Sequence, residues 1–266
     1  MKTNLILKSA FFGLISVTTS QAQETPNADD LAKKLANPVA SLISVPFQNN
    51  YDAGIGANDG SRYTLNVQPV IPFALNDDWS LISRTIIPFI YQDDVFGDTS
   101  QSGLSDVVQS VFFSPKMPTS SGWILGAGPV FLLPTATDDL LGTEKWGAGP
   151  TAVALKQDGP WTYGALVNHI WSFAGEADRA DVSGTFLNPF ATYALGHGQT
   201  VTVQTETTYD WENSQWTVPL SLSYGKVTKI GSQMVSFNVG ARYYIEKPAG
   251  GPDWGLRLSM TFLFPN

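Results

Sequence analysis

The chain has 266 residues, no cysteine, 15 basic against 23 acidic side chains, and a formal net charge of −8. The lack of cysteine excludes a disulfide framework and any thiolate metal site, and the acidic balance excludes the basic patches of a nucleic-acid binder. A mean hydropathy of −0.03, with no run of roughly 18 uncharged apolar residues, excludes membrane-spanning helices. It leaves open a transmembrane β-barrel, whose lipid face occupies only every second residue.

The opening MKTNLILKSAFFGLISVTTSQAQ places Lys2 and Lys8 before a short apolar core and ends it in Ser20-Gln21-Ala22. That order reads as a signal peptide over residues 1–22, cut after Ala22. Without it the chain keeps 13 basic and 23 acidic residues, a net charge of −10. A polar periplasmic segment is expected over 23–38. Within it Asp29 and Asp30 precede LAKKLAN, and Asn37-Pro38 follows, so a short helix is expected near 31–36. A helix of that length must lean on other structure to persist.

From residue 39 onward helical periodicity is absent, and apolar alternation recurs in stretches separated by turn residues. The expected strands are 41–51, 62–73, 79–91, 105–114, 123–133, 146–156, 161–173, 184–195, 200–211, 216–226, 233–246 and 254–264. Residues 39–266 therefore read as an all-β domain, a transmembrane antiparallel β-barrel of about 12 strands, an even number as single-chain bacterial barrels have. The odd-numbered connections include the long, acidic DDVFGDTSQSG and TATDDLLGTEK, and the even ones the short ALNDD, KQDGP and GHGQ. That asymmetry matches long external loops and short periplasmic turns. Every tryptophan except Trp171 sits at or beside an expected strand end, as the interfacial girdles of a barrel require. Seven prolines within the strands, including Pro69, Pro88, Pro189 and Pro219, remove ladder donors, so bulges or breaks are expected there.

Charge follows strand parity. An arginine facing mid-bilayer lipid costs about 2–4 kcal/mol, so charges should take the inward face. Arg62, Asn66 and Gln68 oppose the apolar face of YTLNVQPVIPF, and Asn238 and Arg242 that of MVSFNVGARYYI. Arg84, Glu206, Asp210 and Arg257 oppose the apolar faces of their own strands. In the closing strand Leu263 is the one apolar residue on the polar parity. These nine residues are the expected lumen-lining, solute-binding set.

The run LAKKLANPVASLISVPFQNNYD and the segments NHIWSFAG, TVPLSLSYGKV and LRLSMTFLFP together resemble a family of bacterial outer-membrane proteins named for meta-pathway phenol degradation or for transport. The resemblance implies an outer-membrane barrel with a transport role for small solutes, aromatic or hydrophobic compounds among them. It supplies no catalytic residue and no cofactor. It also implies that the final strand, with its aromatic Phe264, is read by the barrel-insertion machinery. Expected partners are outer-membrane lipid and lipopolysaccharide, that machinery and a small solute, with no nucleic acid.

Two rival readings remain. A lipid-modifying barrel enzyme would draw on His169 with Ser172, but residues three apart in a strand point to opposite faces. The acidic groups Asp93, Asp94, Asp98 and Asp138, Asp139, Glu144 fit no defined cation loop and read as solvated outer loops, or as the adhesive surface of a structural barrel. No metal and no cofactor is expected. The helix preceding the first strand could fold up as a small plug.

Overall fold

A computed structural model describes residues 27–265 of the chain, so the expected signal peptide over 1–22 lies outside the described residues. One helix, α1 (Ala28–Leu35), precedes fifteen strand segments. These are β1 (Ile43–Ile55), β2 (Gly60–Val67), β3 (Val70–Ala74), β4 (Trp79–Asp93), β5 (Ser100–Leu104), β6 (Val107–Pro115), β7 (Trp123–Leu133) and β8 (Lys145–Asp158). They continue as β9 (Trp161–Gly175), β10 (Ser183–Gly196), β11 (Gln199–Thr205), β12 (Thr207–Asp210), β13 (Gln215–Ile230), β14 (Gln233–Glu246) and β15 (Trp254–Phe264). Neighbours pair antiparallel, and β15 returns to pair with β1 from Ile43 opposite Phe264 to Ala53 opposite Trp254. Because β2 continues into β3, β5 into β6 and β11 into β12, the closed barrel has twelve staves, as expected.

The three stave breaks fall where proline withholds a donor. At the β2/β3 break Pro69 follows Gln68, and the Gln68 N–H donates to the Pro46 carbonyl at 2.9 Å, a residue with no N–H to return. At the β5/β6 break Ser105 N–H donates to the Pro88 carbonyl at 2.8 Å. At the third, Thr205 pairs with Leu220 and Thr208 with Thr217, which sets Glu206 against Pro219. On its other side Leu187 pairs with Thr207 and Phe190 with Gln204, which sets Thr205 against Pro189. Glu206 is thereby freed from both ladders. The connection between the expected strands 216–226 and 233–246 is tight, because β13 runs on to Ile230 and β14 starts at Gln233.

The outward face is apolar. On β15, Trp254, Leu256, Leu258 and Phe264 are exposed, while Gly255, Ser259, Thr261 and Leu263 are buried. All eight tryptophans are exposed and gather at the two ends of the staves, Trp79, Trp123 and Trp161 at one, and Trp146, Trp171, Trp211, Trp216 and Trp254 at the other. Trp171, which read as lying further in, belongs to the outer girdle beside His169 and Trp211.

The inner face departs from a uniformly polar lumen. Staves β4 and β6 to β9 turn Ile82, Phe112, Val153, Leu155 and Leu166 inward, and these pack with Val39 into a buried cluster. Strands such as β6 therefore have apolar residues on both faces, Phe113 toward lipid and Phe112 toward this cluster. The remaining arc, β13 to β15 with β1 and β2, is polar. An acidic outer loop also differs from a freely solvated one. Asp106, at the β5/β6 break, accepts from Ala136 N at 3.2 Å, Thr143 N at 2.6 Å and Thr143 Oγ1 at 2.7 Å, which pins residues 136–143 against the wall with Leu141 buried.

Replacing Leu258, on the lipid face, by Arg is expected to cost about 2–4 kcal/mol in urea refolding into lipid vesicles, and Leu258→Ala clearly less.

Candidate functional site

The polar arc carries a continuous network of charged groups. Arg242, on β14, reaches across β15 to Asp52 on β1, donating from Nε to Oδ1 at 2.8 Å and from Nη2 to Oδ2. Gly255 lies between them in register, and a Cβ there would sit 2.3 Å from Asp52 Oδ1 and 2.8 Å from Arg242 Nε. Only glycine leaves the pair its path. Tyr244 Oη adds a bond to Asp52 Oδ1 at 2.9 Å. Arg257, on β15, turns the opposite way, over Gly240, and grips Glu206 with both terminal nitrogens at 3.1 and 2.6 Å. Its Nε donates to Asn50 Oδ1 at 2.7 Å, and Arg242 Nη1 lies 4.0 Å from Glu206 Oε2. This geometry is the strong, forked kind that fixes both partners. The break at Glu206 therefore lets that carboxylate meet two arginines.

Two further arginines extend the network without a carboxylate partner among the described residues. Arg62, directly opposite Asp52, donates from Nε to Gln92 Oε1 at 2.8 Å, and Gln92 passes the chain to Gln101 at 2.8 Å. Arg84, on the adjoining stave β4, donates from Nη2 to Gln68 Oε1 at 3.2 Å. Gln68 and Asn66 both donate to Gln48 Oε1, at 3.1 and 3.4 Å, and Asn238 donates to Ser223 Oγ at 3.2 Å. Eight of the nine expected residues thus face one lumen and most are joined. Asp210 stands apart at the outer rim, where it accepts from Glu212 N, Asn213 N and Asn213 Nδ2 and caps the turn. Strand parity alone could not separate a lumen carboxylate from a turn cap at the stave's end. Asp52, Tyr244 and Gly255 were missed, although Asp52 shares parity with Asn50 and Gln48 in β1.

Below this network a cavity of about 280 Å³ is lined by Gln48, Gln68, Phe190, Ser221, Asn238 and Arg257, with Leu35 and Ala36 at its other end. Ser221 Oγ is buried and has no hydrogen-bond partner. Helix α1 lies over the cavity on the side of the short turns. Its N-cap is Asn27, accepting from Asp29 N at 2.6 Å, rather than the expected aspartates, which occupy the first turn. Asp29 instead accepts from Gly198 N in the GHGQ turn, and Gln157 Nε2 donates to the Lys33 carbonyl at 2.8 Å. Leu31 and Ala32 pack with Leu42, Val227 and Leu263. The apolar residue on the polar parity of the last strand is the seat of this helix.

His169 faces outward. Its Nδ1 lies 2.7 Å from Thr185 Oγ1, which also accepts from Trp211 Nε1 at 2.8 Å, and its ring lies 4.0 Å from that of Trp171. Nε2 is buried without a partner, and Ser172 turns away to accept from Val182 N at 3.0 Å. No cluster of three metal-ligating side chains occurs among the described residues. In the acidic loops, Asp98 accepts from Asn58, Asp138 caps Leu140, and Glu144 pairs with Arg179 at 3.1 Å. Glu206→Ala is expected to lower stability by about 1–3 kcal/mol, below the value for a fully buried pair because its side chain is 27 % exposed. A cycle with Arg257→Gln should be non-additive in urea unfolding, because the two side chains act as one unit.

No family model matches the chain, and no curated protein matches it by sequence. Solved structures do share its shape. An outer-membrane channel from Pseudomonas putida F1 superposes with a TM-score of 0.65 at 16 % identity, covering 84 % of this chain and 94 % of that one. The NanC porin follows at 0.54 and 10 %, covering 82 % and 98 %. Outer membrane phospholipase A from Salmonella typhi gives 0.52 and 12 %, covering 91 % and 99 %. The chain has the fold of the outer-membrane β-barrels.

Proposed function

We propose that the protein resides in the outer membrane and passes small solutes passively through its lumen. The observation that carries this reading is a charged, hydrogen-bonded network and a cavity held inside a barrel whose outer face is apolar and belted by tryptophan at both ends. A barrel that served only as an anchor would need a filled interior, whereas here the wall is lined by groups suited to a passing solute. The likeness to a channel and a porin supports the reading. So does the resemblance of LAKKLANPVASLISVPFQNNYD and LRLSMTFLFP to the phenol-degradation and transporter family, to which we assign the chain on those segments. Lipopolysaccharide at the acidic outer loops, and the insertion machinery at the Phe264 end, are the partners this reading brings with it.

The reading is of a non-enzyme. A phospholipase among the neighbours makes lipid hydrolysis the rival, and His169 beside Thr185 is the one place for it. That pair has no carboxylate or amide on Nε2 to orient the ring, so the histidine is assigned to the girdle. His169→Ala should leave phospholipid turnover in vesicles unchanged and lower the unfolding midpoint slightly; loss of a measurable hydrolytic activity would restore the enzyme.

In planar bilayers the folded protein is expected to conduct, and well-folded protein with neither current nor solute flux would remove the proposal. Helix α1 acts as a partial plug at the periplasmic mouth. Deleting residues 23–36 should raise single-channel conductance by about twofold or more, since it clears one end of the cavity.

A further inference from the structure

On the polar arc and the adjoining β4 the wall carries four guanidinium groups, Arg62, Arg84, Arg242 and Arg257, against two carboxylates, Asp52 and Glu206. The chain as a whole is acidic, so this excess of two positive charges is a local arrangement opposite in sign to the protein. The four groups do not share one role. Arg242 and Arg257 are occupied by carboxylates, with side chains only 10 % and 11 % exposed. Arg62 and Arg84 bond only to the neutral amides of Gln92 and Gln68, which satisfy a donor without cancelling a charge.

Arg62 lies beside Asp52 in register, on the side away from Arg242, and Arg84 lies further along the wall. Arg62 is opposite Gln92 on β4, eight residues from Arg84 on the same strand, which is about 26 Å at roughly 3.3 Å per residue. An anion in the lumen therefore meets Arg62 toward one end, level with Arg242, and Arg84 toward the other, beside Gln68, which lines the cavity. Facing this polar arc is the apolar one. Ile86 and Ile90 on β4, and Phe186 and Phe190 on β10, turn inward on the parity of Arg84 and Asn188 and are only half-buried. Phe190 lines the cavity itself. A lumen for inorganic ions has no use for half-exposed aromatic walls, and a lumen for apolar solutes has no use for unpaired guanidinium groups.

We infer that the lumen selects small organic anions with an apolar body, such as aromatic or short aliphatic carboxylates, with Arg62 and Arg84 as the open carboxylate contacts at its two ends. This rests on the channel reading above and gives it a solute class. The acidic outer loops do not reverse the preference, because their field decays within about 8 Å at physiological salt, while the lumen charges act inside a low-dielectric wall.

The test compares three probes on the full chain folded in detergent, by calorimetry. Benzoate has both charge and ring, benzyl alcohol the ring alone, and gluconate the charge on a hydroxylated body. Benzoate should bind about tenfold more tightly than either, the worth of one added charge-assisted contact or of a buried ring. The double variant Arg62→Gln, Arg84→Gln should lose the advantage of benzoate over benzyl alcohol, while Arg62→Lys, Arg84→Lys, which keeps the charge, should retain most of it. Equal binding of benzoate and benzyl alcohol, or an undiminished preference in the glutamine variant, overturns the inference. Bilayer currents in potassium benzoate separate the two levels: anion binding without current removes the channel reading alone, and current that favours potassium over benzoate removes the solute class alone. Should the glutamine variant fail to fold, the single changes Arg62→Gln and Arg84→Gln, each expected to narrow the preference severalfold, decide the matter.

Discussion

A sheet in hydrocarbon can have no free edge, because an unpaired backbone N–H or C=O there finds no water. The pairing of β1 with β15 along their full common length meets that requirement, and the rest of the architecture follows from it. Once the ends have met, every side chain is committed to one of two solvents, and a single step of register would exchange them. The outward row Trp254, Leu256, Leu258 and the inward row Gly255, Arg257, Ser259 are two readings of one closed ladder. Closure also forces compensation at each proline, because no edge remains on which to hide the missing donor. The three stave breaks are where that compensation is made.

One of these breaks shows how a local defect becomes a site. Glu206 lies between staves that offer it Pro219 on one side, while its neighbour Thr205 meets Pro189 on the other. A carboxylate on an intact ladder would keep to its own stave. Freed here, it is held by Arg257 and approached by Arg242, which is itself fixed on Asp52 by the vacancy of Gly255. The two paired arginines run along the wall over glycines, Arg242 over Gly255 and Arg257 over Gly240.

Much of this was legible in the residues. Alternation gave the stave count, tryptophan positions gave the two ends, and charge parity separated the inward side of the polar staves from the outward side. Three things were hidden. Strands such as 105–114 have apolar residues on both parities, and periodicity cannot distinguish an apolar lumen face from noise. Asp210 satisfies the parity of a lumen residue but ends its strand, where its own turn claims it. Asp106 looks like one more acidic loop residue, and only its three bonds from residues 136 and 143, thirty or more positions away, show that it holds a loop down. Partnership between distant segments leaves no local trace in a chain.

Helix α1 is seated on Val227 and Leu263, residues contributed by the tenth and twelfth staves, although it is itself the first element of the chain. Its socket joins Leu42, just before the first strand, to residues near the end of the chain. A helix of eight residues, too short to hold its shape alone, is thus held by strands from the far end of the chain.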